Sequence, residues 1–254
     1  TIYINPMIKL FRQSRQKLIM ENNTSNYIKY AIGEVVLVVI GILLAIQLNQ
    51  WRMESNNNNQ KKTVLNALQL EFESNLKQLE KVIYYIEEVP KAYLIANKMI
   101  NNNAIKYSAK DYEELIMGLG WVYTFNPSNG ALRSAISSSE IHLIKNKRLI
   151  EVLFSWEDLI KDSDEEALTI RKYQYESLAL KGQYISPAGE WENICDEMLP
   201  PKKTYDYLGL LKDEAFENYS VRSYAYAKEY LTELDDIKNQ NGEILQLIKL
   251  ELTK

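Results

Sequence analysis

The residues that most often carry chemistry are scarce in this chain. It contains one histidine, His142, and one cysteine, Cys195. A single cysteine excludes a disulfide within the chain, and the two residues together cannot make a four-ligand zinc site. A Ser-His-acid triad would have to use His142, which stands between Ile141 and Leu143, a setting typical of a packed or surface histidine. The sequence therefore predicts no metal and no cofactor.

Carboxylate pairs are common, but their setting does not favour catalysis. They occur at Glu113-Glu114, at Asp164 to Glu166 and at Asp235-Asp236, in stretches that we predict to be helical and solvated. A glycosidase would hold two acids across a cleft. The chain also has no phosphate-binding loop, dinucleotide-binding glycine pattern or Cys-x-x-Cys. We expect a protein that is not an enzyme.

One acid stands in an unusual setting. The run from Ala31 to Trp51, AIGEVVLVVIGILLAIQLNQW, is apolar on every side but contains Glu34. At about 100° per residue, Glu34 shares one helix face with Gly41 and Ala45. A polar group and small residues on one stripe are typical of helix contacts in lipid. Three roles stay open for Glu34: contact with another helix, a position near the headgroups without a special role, or a proton or ion site.

The apolar run predicts a transmembrane helix over residues 27–51. About 20 apolar residues are enough to cross the hydrocarbon core. Tyr27 and Tyr30 border the run on one side and Trp51 on the other, where amphipathic rings favour the headgroup layer. A cleaved signal peptide is the alternative, but its apolar region is shorter, and no small-x-small cleavage site follows this run.

Charge predicts the orientation of the span. Ahead of Glu34 the chain carries five basic residues and one acid, a net charge of +4, whereas after Trp51 it carries 25 basic residues and 32 acids, a net charge of −7. Because basic residues stay on the cytoplasmic side, we expect residues 1–26 in the cytoplasm and residues 52–254 in the periplasm of a bacterial inner membrane.

The predicted cytoplasmic segment carries a basic face. Its residues are Lys9, Arg12, Arg15 and Lys17. Such a face suits a short helix that lies on membrane lipid, and a disordered basic tail is the alternative.

Beyond the span, 3-4 spacing of apolar residues predicts an all-α domain. The first long helix is predicted from Gln60 to Val89, after the polar residues 55–59, with Pro90 stopping or kinking it. Asn75 occupies one position of its apolar seam, which is typical of a bundle helix or a coiled coil. The other seam residues are Leu65, Leu68, Phe72, Leu79, Val82, Ile86 and Val89.

Capping residues predict where further helices begin and end. Ser108 and Asp111 resemble a capping box. Asn146 is predicted to cap a long helix that runs from Lys147 to Lys181 and ends near Gly182. Its apolar residues include Leu149, Leu153, Trp156, Ile160, Leu168 and Leu178.

The last predicted helix begins at Ser220 and bends near residues 239–242. Residues 183–205 form either a binding loop or an ordinary surface loop. The predicted architecture is an extracytoplasmic antiparallel bundle of three or four long helices, which follows one N-terminal transmembrane helix.

Tyrosine is unusually frequent, with 18 residues. Tyrosine is enriched at interfaces because its ring buries while its hydroxyl stays wet. Ordinary core packing in a chain with biased codon usage explains the same composition equally well.

Two segments resemble a known family. Residues 7–51 are similar to the opening of a family of single-span proteins in Bacteroidota, catalogued as a domain of unknown function. The likeness lies in the basic start, in Tyr-Ala-Ile-Gly-Glu at Tyr30 to Glu34, and in the Val-Ile-Gly-Ile-Leu centre of the span. Residues 131–149 also resemble the family, which often has glycine at Ser138 or Ser139. The resemblance implies an inner-membrane anchor and a helical periplasmic domain, and it transfers no catalytic residue.

These features predict a membrane-anchored scaffold or accessory subunit that acts through protein–protein contacts in the cell envelope. We expect membrane lipid around the span and either a homo-oligomer or a membrane complex. The alternative is a periplasmic sensor that binds a small molecule between helices, in a pocket lined by tyrosines. The net negative outer domain argues against nucleic-acid binding.

Overall fold

The computed structural model describes residues 24–101, 107–119, 122–186 and 205–253. All regular structure within these ranges is helical, which confirms the all-α class. The chain divides into two compact units, Thr1–Gln60 and Lys61–Lys254. The predicted limits of the cytoplasmic segment, the span and the outer domain stay predictions.

Eight α-helices and one 3₁₀ helix make up the described elements. The α-helices are α1 (Thr24–Ile86), α2 (Glu88–Asn101), α3 (Ala109–Gly118), α4 (Gly130–Ser137), α5 (Lys147–Phe154), α6 (Trp156–Tyr184), α7 (Tyr207–Lys212) and α8 (Glu214–Leu252), and the 3₁₀ helix is Glu140–Leu143.

The first unit contains the apolar part of α1. All residues from Val35 to Gln60 are exposed, including the large apolar side chains of the predicted span. The expectation that a helix would begin at Gln60 is wrong, because residues 55–59 are helical and lie inside α1. Asparagine lowers helix propensity by less than about 1 kcal/mol per residue. A helix that is already nucleated on one side can propagate through such a short polar stretch.

The second unit is a bundle whose long helices bury residues at alternating 3-4 spacing. All seven predicted apolar seam residues and Asn75 are buried, which confirms their burial, although six of the seven lie on α1 and Val89 lies on α2. The helix is interrupted after Ile86. Glu87 forms a turn, and Pro90 lies in the first turn of α2. Proline is tolerated there because its missing N–H has no partner in a first turn. The predicted end of the first helix at Val89 is wrong, because α1 ends at Ile86 and Val89 lies in α2, so the break comes shortly before Pro90 rather than at it.

Helices α6 and α8 pack together through a seam that contains several small residues among larger ones. The buried positions of α6 include Ser163, Ala167 and Ser177, and those of α8 include Ser223 and Ala227. The Tyr184 hydroxyl donates to Asp213 (2.6 Å) at one end of the pair, and Gln240 of α8 donates to Ser155 Oγ (3.1 Å) at the other, so the two helices run antiparallel. Small side chains at these positions allow the two helix backbones to approach closely.

The α1 and α8 helices also run antiparallel. Lys61 pairs with the buried Glu251 at 3.4 Å, and Lys238 lies 3.7 Å from Glu80. The main apolar core fills the space between these helices, and its largest buried side chains are Trp156, Tyr230, Phe72 and Phe125.

A second apolar cluster lies at the other end of the bundle. It joins α2, α3, α7 and the start of α8 through residues such as Met99, Leu115 and Phe216. Helix α3 begins with the predicted capping box at Ser108 and Asp111, which is confirmed. Gly118 lies so close to α2 that an added Cβ would stand 2.8 Å from the Ala92 Cβ.

The predicted long helix Lys147–Lys181 is wrong, because it is broken at Ser155 into α5 and α6. Asn146 does cap α5, by accepting from the Leu149 N–H. The break has a visible cause: Gln240 of α8 donates to the Val152 carbonyl (2.9 Å) and to Ser155 Oγ (3.1 Å). In a continuous helix that carbonyl would accept from Trp156, and a side chain inserted into the ladder bends a helix.

The expected ends of α6 and α8 also need correction. Helix α6 runs past Gly182 to Tyr184, and its Leu168 and Leu178 are exposed rather than buried. Helix α8 begins after Asp213, whose carboxylate accepts from Ala215 and Phe216, and not at Ser220.

Ser220 and residues 239–242 lie inside α8. The Ser220 hydroxyl donates to the Phe216 carbonyl, a bond that serine makes within helices. The helix continues through the residues where we expected a bend, and Asn241 among them is fully buried. Packing of the flanking seam outweighs the low helix propensity of asparagine and glycine.

Ser139 has a left-handed backbone, with φ 61° and ψ 11°. It is the one non-glycine residue with positive φ among the described residues. It turns the chain from α4 into the 3₁₀ helix, at one of the positions where the family resemblance favours glycine. A left-handed backbone costs an L-residue roughly 1–2 kcal/mol.

We expect Ser139→Gly to raise the free energy of unfolding by up to about 1 kcal/mol, because glycine adopts this backbone without the steric penalty. Ser138→Gly is the matched control. Ser138 has φ −80° and donates to the Ser134 carbonyl, so its replacement should lower stability. Chemical denaturation of the full chain in detergent measures both, and equal destabilisation by the two variants would refute the assignment.

Candidate functional site

The most connected polar cluster of the described residues surrounds the loop 122–129. Asn75, buried in the α1 seam, pairs with the backbone of Ser128 in both directions. Its amide donates to the Ser128 carbonyl and its carbonyl accepts from the Ser128 N–H, each at 2.8 Å. Glu71, one turn earlier, accepts from the N–H groups of Ala131 (2.7 Å) and Leu132 (3.0 Å). A carboxylate here satisfies free donors at the start of α4 and complements its dipole.

Two other helices hold the same loop. The Trp156 indole N–H of α6 donates to Asn129 Oδ1 at 3.1 Å. The Phe125 N–H donates to the hydroxyl of Tyr230, from α8, at 3.1 Å. The pKa of Tyr230 is raised to about 12, chiefly because the phenol is buried. The hydroxyl therefore stays neutral, and the loop is fixed by side chains of all three long helices.

This cluster is a structural clamp. Its polar groups form hydrogen bonds with one another and with the backbone, which is typical of a structural role. The tyrosines likewise pack mainly on one another: Tyr85 stacks on Tyr123 with ring centres 4.1 Å apart, and Tyr112 stacks on Tyr207 at 5.7 Å.

The two buried seam asparagines should respond oppositely to leucine. Asn75→Leu leaves the Ser128 N–H and carbonyl without their partner and should lower the free energy of unfolding by about 2 kcal/mol. Neither side-chain polar atom of Asn241 has a hydrogen-bond partner, and the residue is fully buried. Asn241→Leu should therefore raise stability by about 1 kcal/mol. Denaturant titration of both variants compares them directly, and a loss in both would contradict this difference.

An acidic pair joins α6 and α8. The Oε2 atoms of Glu166 and Glu233 are both buried and lack a hydrogen-bond partner when both side chains are carboxylates. Burial, followed by the adjacent Glu166, raises the pKa of Glu233 to about 7. Sequence reasoning missed this pair. One signal in the sequence could have found it. Each acid stands one residue before a buried position of its helix, Ala167 or Leu234, and charged residues that flank such positions meet those of a neighbouring helix.

An open groove of about 400 Å³ lies between α8 and the junction of α1 with α2. Its floor is apolar, and its rim carries Lys91 and Lys228 with the acids Glu87 and Asp235. Lys91 is already paired with Glu87 (3.3 Å) and Glu88 (3.0 Å). No tyrosine lines this groove, so it differs from the tyrosine-lined pocket that the sensor hypothesis expects.

The predicted membrane residues fall on α1 or outside the described part. Glu34, Gly41 and Ala45 lie on α1, where Gly41 and Ala45 are exposed and Glu34 is half-buried. Trp51 is 71% exposed. Tyr27 and Tyr30 lie in α1, but their side chains are outside the description. The basic residues Lys9, Arg12, Arg15 and Lys17 also lie outside the described residues.

The residues with catalytic or metal-binding potential do not converge in the described ranges. His142 is exposed in the 3₁₀ helix, and Cys195 lies outside the description. Groups of three or more His, Cys, Asp or Glu that could hold a metal are absent from residues 24–101, 107–119, 122–186 and 205–253.

The described residues define an all-helical protein with one helix that is long and apolar enough to cross a membrane. Residues 34–160 match DUF6090, a family of unknown function, and the chain belongs to this family. The match runs from the acid of the apolar helix into α6, so it includes Ser139 and the clamp residues of α1, the loop and Trp156, but it ends before Glu166 and Tyr230. No curated protein and no solved structure matches the chain.

Proposed function

We propose that this protein is a membrane-anchored helical scaffold or accessory subunit of the cell envelope. In this proposal α1 crosses the bacterial inner membrane once, the basic N-terminal segment faces the cytoplasm, and the bundle lies in the periplasm. The observation that carries the proposal is the exposure of the apolar part of α1: every residue from Val35 to Leu48 is exposed, and all but Gln47 are apolar. Acyl chains remove such a surface from water, and burial is worth about 25 cal/mol per Å².

Contact with another helix is supported by the stripe of Glu34, Gly41 and Ala45. A Cβ added at Gly41 would meet no atom within 4 Å, so this position has room for a second backbone. Small residues permit close approach in lipid, and a polar side chain favours a protein partner over hydrocarbon. A second copy of the chain or a subunit of a membrane complex would supply that partner.

The protein-contact hypothesis has more support than the ligand-sensing alternative. The groove beside α2 is open, and its lysine and acid side chains include pairs that already neutralise each other. Apolar side chains remain exposed on α6 in the second unit, where Leu168, Tyr175 and Leu178 are each about half-exposed or more. Such residues suit protein contacts, with aromatic side chains as the usual anchors.

Enlarging the stripe should weaken association of the span. We expect Gly41→Leu to reduce self-association, or retention of a co-purifying subunit, by about tenfold, because the added side chain separates the two backbones. Glu34→Leu should act in the same direction by removing the polar contact. Native mass spectrometry after gentle detergent extraction measures both effects.

Val36→Leu is the matched control, since Val36 lies on the opposite side of the helix from Gly41. It adds bulk without touching the stripe and should associate as the unchanged protein does. Equal association of Gly41→Leu, Glu34→Leu and the control would remove the support for this interface.

A further inference from the structure

Glu166 and Glu233 lie opposite each other across α6 and α8, because Tyr173, seven residues after Glu166, packs against Tyr226, seven residues before Glu233, with ring centres 5.8 Å apart. Glu166 stands beside Ala167 and Ser163 of the α6 seam, and Glu233 stands beside Leu234 of the α8 seam. The Oε2 atoms of both side chains are buried, and two ionised carboxylates that face each other would repel and could not donate a hydrogen bond. With one proton between them, one carboxyl donates to the other and the buried oxygens are satisfied.

The charged groups around the pair make its ionisation harder. Asp162 and Glu166 face Glu233 from α6, and Glu229 precedes it by one turn on α8, so these neighbours are all acids. Arg171 is the cation that acts on this region, through Asp164 and Tyr230. Its guanidinium donates to Thr124 Oγ1 at 3.3 Å, which directs it toward the clamped loop.

We propose that Glu166 and Glu233 form a proton-controlled latch between α6 and α8: a shared proton joins the two helices, and its loss pushes them apart. The latch goes beyond a scaffold role, because it makes the stability of the contact between α6 and α8 depend on the pH around the domain. It requires no residue of the membrane segment.

The direction of the pH effect follows from the two states of the pair. The pKa of Glu233 is raised from 4.5 to about 7 in the fold. Between these values the folded protein keeps a proton that the unfolded chain has lost. Stability therefore falls as pH rises from about 4.5 to about 7 and levels off above that range.

Hydrogen exchange of the full chain in detergent tests the latch. Protection factors, corrected for intrinsic exchange rates, are compared at pH 5.5 and pH 8.0 for the segments Trp156–Tyr184 and Glu214–Leu252. We expect protection at the facing turns to fall about tenfold or more at pH 8.0, the factor that corresponds to one pKa unit.

Two variants separate the latch from general pH effects. Glu233→Gln carries a permanent donor and should keep at pH 8.0 the protection that it has at pH 5.5. Asp236→Asn, at an exposed position three residues further along α8, should retain the full pH dependence of the unchanged protein. If Glu233→Gln does not fold, Glu166→Gln supplies the same donor from the other helix.

Unchanged protection between the two pH values in the unchanged protein would exclude the latch. The latch would also be excluded if the glutamine variant, Glu233→Gln or its substitute Glu166→Gln, showed the same pH dependence as Asp236→Asn. That result would assign the effect to other groups.

Discussion

The apolar stretch of α1 imposes the constraint on which this protein depends. From Val35 to Leu48 no residue is polar except Gln47, and all of them are exposed. A backbone in hydrocarbon must satisfy its hydrogen bonds within its own segment, and a helix does so. In the membrane placement that we propose, the same segment fixes the helical conformation of this part of α1, and Glu34 and Gly41 mark the face where another helix would approach.

The second unit is held by a different balance of forces. Its long helices bury apolar residues at heptad-like spacing, but the seams also contain Asn75, Asn241 and several separate serines. Asn75 and Glu71 use their polar atoms to fix a loop more than 50 residues away in sequence. Polar groups that are fully satisfied specify one packing arrangement, whereas buried polar atoms without a partner, such as those of Asn241, reduce stability.

Periodicity predicted what depends on local pattern and missed what depends on distant partners. The α1 seam, the α3 capping box and the cap at Asn146 were predictable, because each rests on residues a few positions apart. The break at Ser155 was not, since it is caused by Gln240, 85 residues later. Asp213 begins α8 where Ser220 was expected, and nothing local separates the two as caps. The acid pair required the register between helices, which single-sequence reasoning does not supply.

Topology is the most direct test of the membrane account. A tag fused after Lys254, in a Gram-negative host converted to spheroplasts, should be digested by added protease while a cytoplasmic marker stays intact. The protein itself should remain with the membrane fraction after alkaline washing. Protection of the tag in intact spheroplasts, or release of the protein into the soluble fraction, would contradict a single span with the bundle in the periplasm.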